Sequence, residues 1–127
     1  MDNFNVSRQD KAEVSVLYLE GFLDAHTATE LEDQMQALLN DSRFRILVNF
    51  EKLNYISSAG LGVFMGFIEQ VREHDGDIKM CCMPPKIYRV FDLLGFPTLY
   101  DIVDMEEQGI ERFFKPKSDN IVKEDKP

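Results

Sequence analysis

Clusters of basic residues are absent from this chain. Its 14 Lys and Arg are outnumbered by 23 Asp and Glu, which leaves a net charge of -9. Binding to a phosphate backbone needs Lys and Arg gathered on one face, so DNA and RNA are set aside as partners. Long apolar runs are absent too. The first residues, "MDNFNVSRQD", have no signal-peptide core, and no run approaches the roughly 20 apolar residues of a membrane helix. A cytoplasmic protein with no membrane partner is therefore expected.

Sulfur and imidazole ligands are scarce. Cys81 and Cys82 are the only two cysteines, and His26 and His74 the only two histidines. Neighbours in a strand point to opposite faces, so the cysteines are expected as two buried, reduced thiols with no bridge between them. That fits a reducing compartment. A metal site needs more soft ligands than two cysteines and two distant histidines provide, so no metal and no cofactor are expected.

What is present is an ordinary globular composition, 44% hydrophobic and 29% charged over 127 residues, enough for one self-sufficient core. "FNVSRQD" and "EVSVLYLEG" read as a β-hairpin turning around Asp10, Lys11 and Ala12. After Gly21, the residues Ala28, Leu31, Met35 and Leu38 recur at helical spacing, and Thr27 with Glu30 has the capping-box pattern. "FRILVNF" reads as a strand buried on both faces. A second helical stripe follows in Leu61, Phe64, Met65, Ile68 and Val71. "IKMCCM" is the next strand, stopped by Pro84 and Pro85. Pro85 suits the first turn of a helix with Ile87, Val90, Phe91 and Leu94 on its apolar face. Gly95 ends that helix, Pro97 bars its continuation, and "LYDIV" is a last short strand. A fourth helix is predicted over about Met105 to Phe114, weakened by Gly109. The fold class is α/β: a small mixed sheet of four to five strands packed with about four helices, in the order β-β-α-β-α-β-α-β-α. Residues 1–114 form the domain, and residues 115–127 are expected to be a mobile charged tail.

The junction "NYISSAGLGVF", residues 54–64, needs its own explanation. A strand becomes a helix there, with Ser57 and Ser58 at the turn. A nucleophilic serine needs a histidine base and glycines two before and two after it; Ser58 has Ile56 before it, and both histidines have simpler readings as solvated helix-end residues. A phosphate loop fits poorly: the glycines at 60, 62 and 66 miss the dinucleotide spacing by one residue, and no Lys-Ser or Lys-Thr follows. Gly62 and Gly66 share a helix face and are expected to let a neighbouring backbone pack closely. A helix cap by Ser57 or Ser58 is expected in any case. A phosphate added there would be stabilised by free first-turn amides and the positive end of the helix dipole. The hydroxyl can be modified while the helix stays folded.

"YISSAGLGVF" resembles the signature of STAS domains of the anti-sigma-factor-antagonist type: apolar, Asp, Ser, then Ser, Thr or Ala, Gly, Leu or Ile, Gly. "GFLDAHTATEL" resembles a second element of that family, in which Gly, a spacer, an apolar residue and Asp close the strand before the first helix. The element order agrees, and the resemblance covers about Phe4 to Phe114. It places Ser58 at the phosphorylated position, Ala59 at that of the second hydroxyl, and Ser57 where Asp is usual, which makes Ser57 an alternative acceptor. Asp24 matches the family's acidic residue near the switch; its other reading is a solvated turn residue that caps the first helix.

The resemblance implies a non-enzymatic protein that binds an anti-sigma factor acting also as a serine kinase. Phosphorylation would release it, and a PPM-type serine phosphatase would reset it. The partner surface would comprise Asp24, Ser57, Ser58, Ala59, Gly60, Leu61 and Gly62. Two other readings stay open: a nucleotide- or small-molecule-sensing regulatory domain using the same helix start, and a scaffold in a signalling complex whose serine is never modified.

Overall fold

The computed structural model describes residues 3–114. The tail expected over 115–127 lies outside the described residues. The chain opens with the antiparallel hairpin β1 (Phe4–Lys11) and β2 (Val14–Leu23), joined by the two-residue loop Ala12–Glu13. Ala12 adopts φ 58°, the positive φ that tight hairpin loops need to match strand twist. The strands β3 (Arg45–Ile56), β4 (Asp77–Cys81) and β5 (Ile102–Val103) then add in parallel, and the sheet order is β1-β2-β3-β4-β5.

Each parallel strand is laid beside the previous one in the same direction. Right-handed crossovers then put all three connecting helices on one face of the sheet. These are α1 (Ala28–Asn40), α2 (Ser58–Glu73) and α3 (Pro85–Leu93). The main core lies beneath them: Leu31, Met35 and Leu38 from α1, Leu61, Phe64 and Val71 from α2, and Ile87 and Phe91 from α3 meet Leu17, Val48, Phe50 and Met80 of the sheet. Phe50, Phe64, Phe91, Phe96 and Tyr100 form a chain of ring contacts 5.1–5.8 Å apart that ties the helices to β3. Aromatic pairs at this spacing add to plain area burial.

The last helix, α4 (Glu106–Arg112), packs on the opposite face, where Val14, Val16, Leu47, Cys81 and Val103 form a second cluster with Ile110 and Phe113. Gly109 has a reason to be there: a Cβ on it would stand 2.6 Å from Leu47 Cδ1. Glu106 anchors the helix. Its carboxylate accepts hydrogen bonds from Lys11 Nζ at 2.6 Å, Tyr18 Oη at 2.9 Å and Asn49 Nδ2 at 2.9 Å. Burial pushes the Glu106 carboxyl up, but the bonds from Lys11, Asn49 and Tyr18 outweigh it and hold the group below its ordinary value.

Several expectations are corrected by packing. The third strand runs past Phe50 to Ile56, and the fifth keeps only Ile102 and Val103 of "LYDIV". Pro97 falls inside a short 3-10 turn, Phe96–Thr98, that follows Gly95 at φ 78°. Leu94 is 57% exposed and Met65 56% exposed, so neither belongs to its helix's buried stripe. In α2 the sheet-facing arc includes Gly60 and Val63 instead. Gly62 and Gly66 lie outside that arc, and a Cβ on either would meet nothing within 4 Å. The close approach expected at those two glycines occurs at Gly60.

Candidate functional site at the start of helix α2

The C-terminal half of β3 carries one extra residue relative to β2 at each of two places, between Asn49 and Lys52 and between Leu53 and Tyr55. Such bulges reset which side chains face inward. Leu53 and Ile56 are both buried, whereas Tyr55 between them is 48% exposed, its ring 6.1 Å from that of Phe22 on β2. Leu23 pairs with Ile56 in register, and the Ser57 amide then donates to the Leu23 carbonyl at 2.9 Å. The serine junction is thereby fastened to the segment that leads into Asp24.

Ser57 is the N-cap of α2. Its backbone is extended (φ -103°, ψ 174°), and its Oγ accepts from the Gly60 amide at 3.4 Å. The Ser57 carbonyl takes the Leu61 amide at 3.0 Å, the first full helical bond. Ser57 is half-buried, while Ser58, the first helical residue, is exposed, as are Ala59 and Gly62. Gly60 and Leu61, expected at the partner surface, are buried instead. A Cβ on Gly60 would stand 2.7 Å from Leu23 Cγ, and Leu61 belongs to the core. The exposed part of the site is Ser58, Ala59 and Gly62, with Met65 and Gly66 continuing the same outward side of the helix.

Asp24 stands at the end of β2, one residue past the strand that pairs with β3. Its Oδ1 accepts from the amides of His26 at 2.9 Å and Thr27 at 3.2 Å, and it is half-buried. This carboxylate closes the turn before α1, as its turn-residue reading has it. The capping box expected from Thr27 and Glu30 does not form. The Thr27 hydroxyl points back instead, donating to the Phe22 carbonyl at 2.8 Å and accepting from the Asp24 amide at 2.9 Å. Asp24 and the serines therefore sit at the ends of adjacent strands and belong to one edge of the molecule.

The other chemistries weighed for this junction find little support. The parallel strands never reverse direction across the sheet, so no topological switch point opens a crevice for a nucleotide. Concave surfaces occur beside Tyr18 and Asn49, beside Cys82 and Met105, and beside Phe22 and Asn54 next to the junction; the lining of none of them includes Ser57 or Ser58. His74 caps the far end of α2, about 24 Å along the axis from Ser58. There its ring stacks on Phe44 at 4.1 Å. Among the described residues, no three His, Cys, Asp or Glu side chains converge as metal ligands, and no helix is long and apolar enough to cross a membrane. Sequence reasoning overlooked the Phe22–Tyr55 pair, because only the bulges in β3 turn Tyr55 outward.

The STAS domain model matches residues 4–108. The anti-sigma-B factor antagonist of Staphylococcus aureus is 32% identical over 101 residues, covering 79% of this chain and 91% of that protein. An anti-sigma factor antagonist from Mycobacterium paratuberculosis superposes with a TM-score of 0.83 at 20% identity, over 90% of this chain and 97% of its own. The antagonist SpoIIAA in its unphosphorylated form superposes with a TM-score of 0.73 at 23% identity, over 87% and 95% of the two chains. With the family model spanning both the sheet and the serine junction, and a relative this similar, the chain belongs to the STAS domain family, in its anti-sigma-factor-antagonist group.

Proposed function

We propose that this protein is an anti-sigma factor antagonist that works by partner switching. Unphosphorylated, it binds an anti-sigma factor that is also an ATP-dependent serine kinase, and so frees a sigma factor in the cytoplasm. Phosphorylation of Ser58 releases it, and a PPM-type serine phosphatase restores the binding form. The protein itself catalyses nothing. One observation carries this reading: an exposed serine at the first position of a helix whose cap bond is already made by its neighbour. Ser58 can take a phosphate without losing a structural hydrogen bond. Ser57 cannot, because its Oγ is the cap and is half-buried, so Ser58 is favoured over the alternative acceptor.

The family relationship supports the same reading. The Staphylococcus aureus relative is named for antagonism of an anti-sigma factor, and SpoIIAA is known in unphosphorylated and phosphorylated forms. The surface through Asp24, Ser58, Ala59 and Gly62 would form the contact. Phosphate adds about -1.5 to -2 charges, which water solvates freely in the unbound protein and a closed interface does not. The test is incubation of the protein with radiolabelled ATP and its co-purified partner, followed by mass mapping. Label on Ser58, absent from Ser58→Ala, supports the switch. A partner that binds yet never transfers phosphate would favour the scaffold reading.

A further inference from the structure

The cluster beneath α4 includes no residue of β2 beyond Tyr18. Strand alternation puts Glu20 on the same face as Tyr18, and it is exposed there. Asn5, also exposed, is its partner in register on β1. A cleft of about 330 Å³ opens at this place, and its lining includes Asn3, Asn5, Glu20, Phe22 and Asn54. Glu20 is its one charged residue. Lys52, the in-register neighbour of Glu20 on β3, lines the adjoining cleft beside Tyr18 instead. Among the described residues, no cation forms an ion pair with Glu20.

This cleft adjoins the serine junction. Phe22 lies beside Tyr55, and the next residue of β2, Leu23, takes the Ser57 amide on its carbonyl. Asp24 follows at once. A stable interface covers roughly 800 Å² on each partner, more than Asp24, Ser58, Ala59 and Gly62 supply alone. A partner seated on them spreads onto neighbouring surface, and Phe22 with Glu20 is the part that carries an aromatic ring and a free charge.

We propose that the partner seats an arginine side chain in this cleft, its guanidinium paired with the Glu20 carboxylate and set against the Phe22 ring. The inference rests on the partner-binding reading above. In the free protein water solvates the Glu20 charge. When an interface closes over it, that charge opposes binding unless a cation meets it. A guanidinium fits the lining: it is flat enough to lie on an aromatic ring and offers a carboxylate two parallel N–H bonds. The Asn5 carboxamide oxygen can accept a further N–H. The ammonium of lysine is a compact, strongly hydrated charge with no flat face.

The test uses the full chain and its co-purified partner. At saturating concentrations the complex is treated with phenylglyoxal, which modifies accessible arginines, and the partner's peptides are mapped by mass. One partner arginine is expected to be protected by wild type and reactive in the complex with Glu20→Gln. Calorimetric titration should show Glu20→Gln weakened about tenfold or more, as for loss of a hydrogen bond between charged groups. Glu20→Lys should be weakened more than about a hundredfold, because like charges then meet. Glu20 is exposed, so the urea midpoints of both variants should match wild type. Equal arginine reactivity in the two complexes overturns the proposal. Ser58→Asp separates it from the switch: if that variant loses binding while Glu20→Gln binds as wild type does, the switch stands and this inference falls.

Discussion

Gly60 lies so close to Leu23 that a Cβ on it would stand 2.7 Å from Leu23 Cγ and 3.1 Å from Ile56 Cγ1. Leu23 is wholly buried at the end of β2, so it has little room to withdraw. Gly60→Ala should therefore destabilise the protein by about 1–3 kcal/mol. Gly62, two residues on, faces open space, and a side chain there costs nothing in packing. Gly62→Ala should stabilise by about 0.5–1 kcal/mol, because alanine loses less entropy in a helix. Urea midpoints of the two variants are the check. A loss of stability in Gly62→Ala would contradict the outward placement of that glycine.

The two serines should separate in stability and in binding. Ser57→Ala removes the cap of α2 and should cost about 0.5–1 kcal/mol, at the low end for a long cap bond. Ser58→Asp should change stability by less than about 1 kcal/mol, since a charge at a helix start is well placed. Its affinity for the proposed anti-sigma partner should nonetheless fall more than about a hundredfold, because an unpaired charge is costly in a closed interface. Ser58→Ala should bind as wild type does and resist release by ATP. Calorimetric titration of all three against the co-purified partner reads these outcomes; equal affinity of Ser58→Asp and wild type would end the negative-charge switch.

The exposed ring of Tyr55, paired with Phe22 beside the serines, offers a partner an aromatic anchor. Tyr55→Ala should weaken partner binding about tenfold or more, as loss of an aromatic hot spot does. Its melting temperature should stay close to that of wild type. Unchanged affinity would place the partner on the helix side alone.

Glu106 should make the protein sensitive to acid. Its folded-state carboxyl lies below the ordinary value, so its contribution to stability is present above the unfolded-state value. That contribution is lost as pH falls through the folded-state value. Glu106→Gln should cost about 1–2 kcal/mol near neutral pH, as expected for hydrogen bonds to a charged group. In strong acid, where wild type has lost the same interaction, the two should converge. Denaturant midpoints across the acid range test this, and a constant difference down to the lowest pH would remove Glu106 as the cause.

Much of this protein was legible in local sequence. Apolar spacing marked the first three helices, and Pro85 and Gly95 marked the ends of α3, because helical period and turn chemistry are properties of short segments. The strand-to-helix junction at Ser57 and Ser58 was legible for the same reason. Which side of each element meets the sheet was not. Two bulges in β3 turned Tyr55 outward, and left-handed Cys82 packs against the same cluster as Cys81. The end of β2 decided that Gly60, and not Gly62, is the glycine under a close neighbour. Asp24 closed the turn before α1 in place of the Thr27–Glu30 box, because the Phe22 carbonyl claimed the Thr27 hydroxyl. These outcomes depend on contacts between residues distant in sequence or on single backbone angles, and only the assembled sheet settles them.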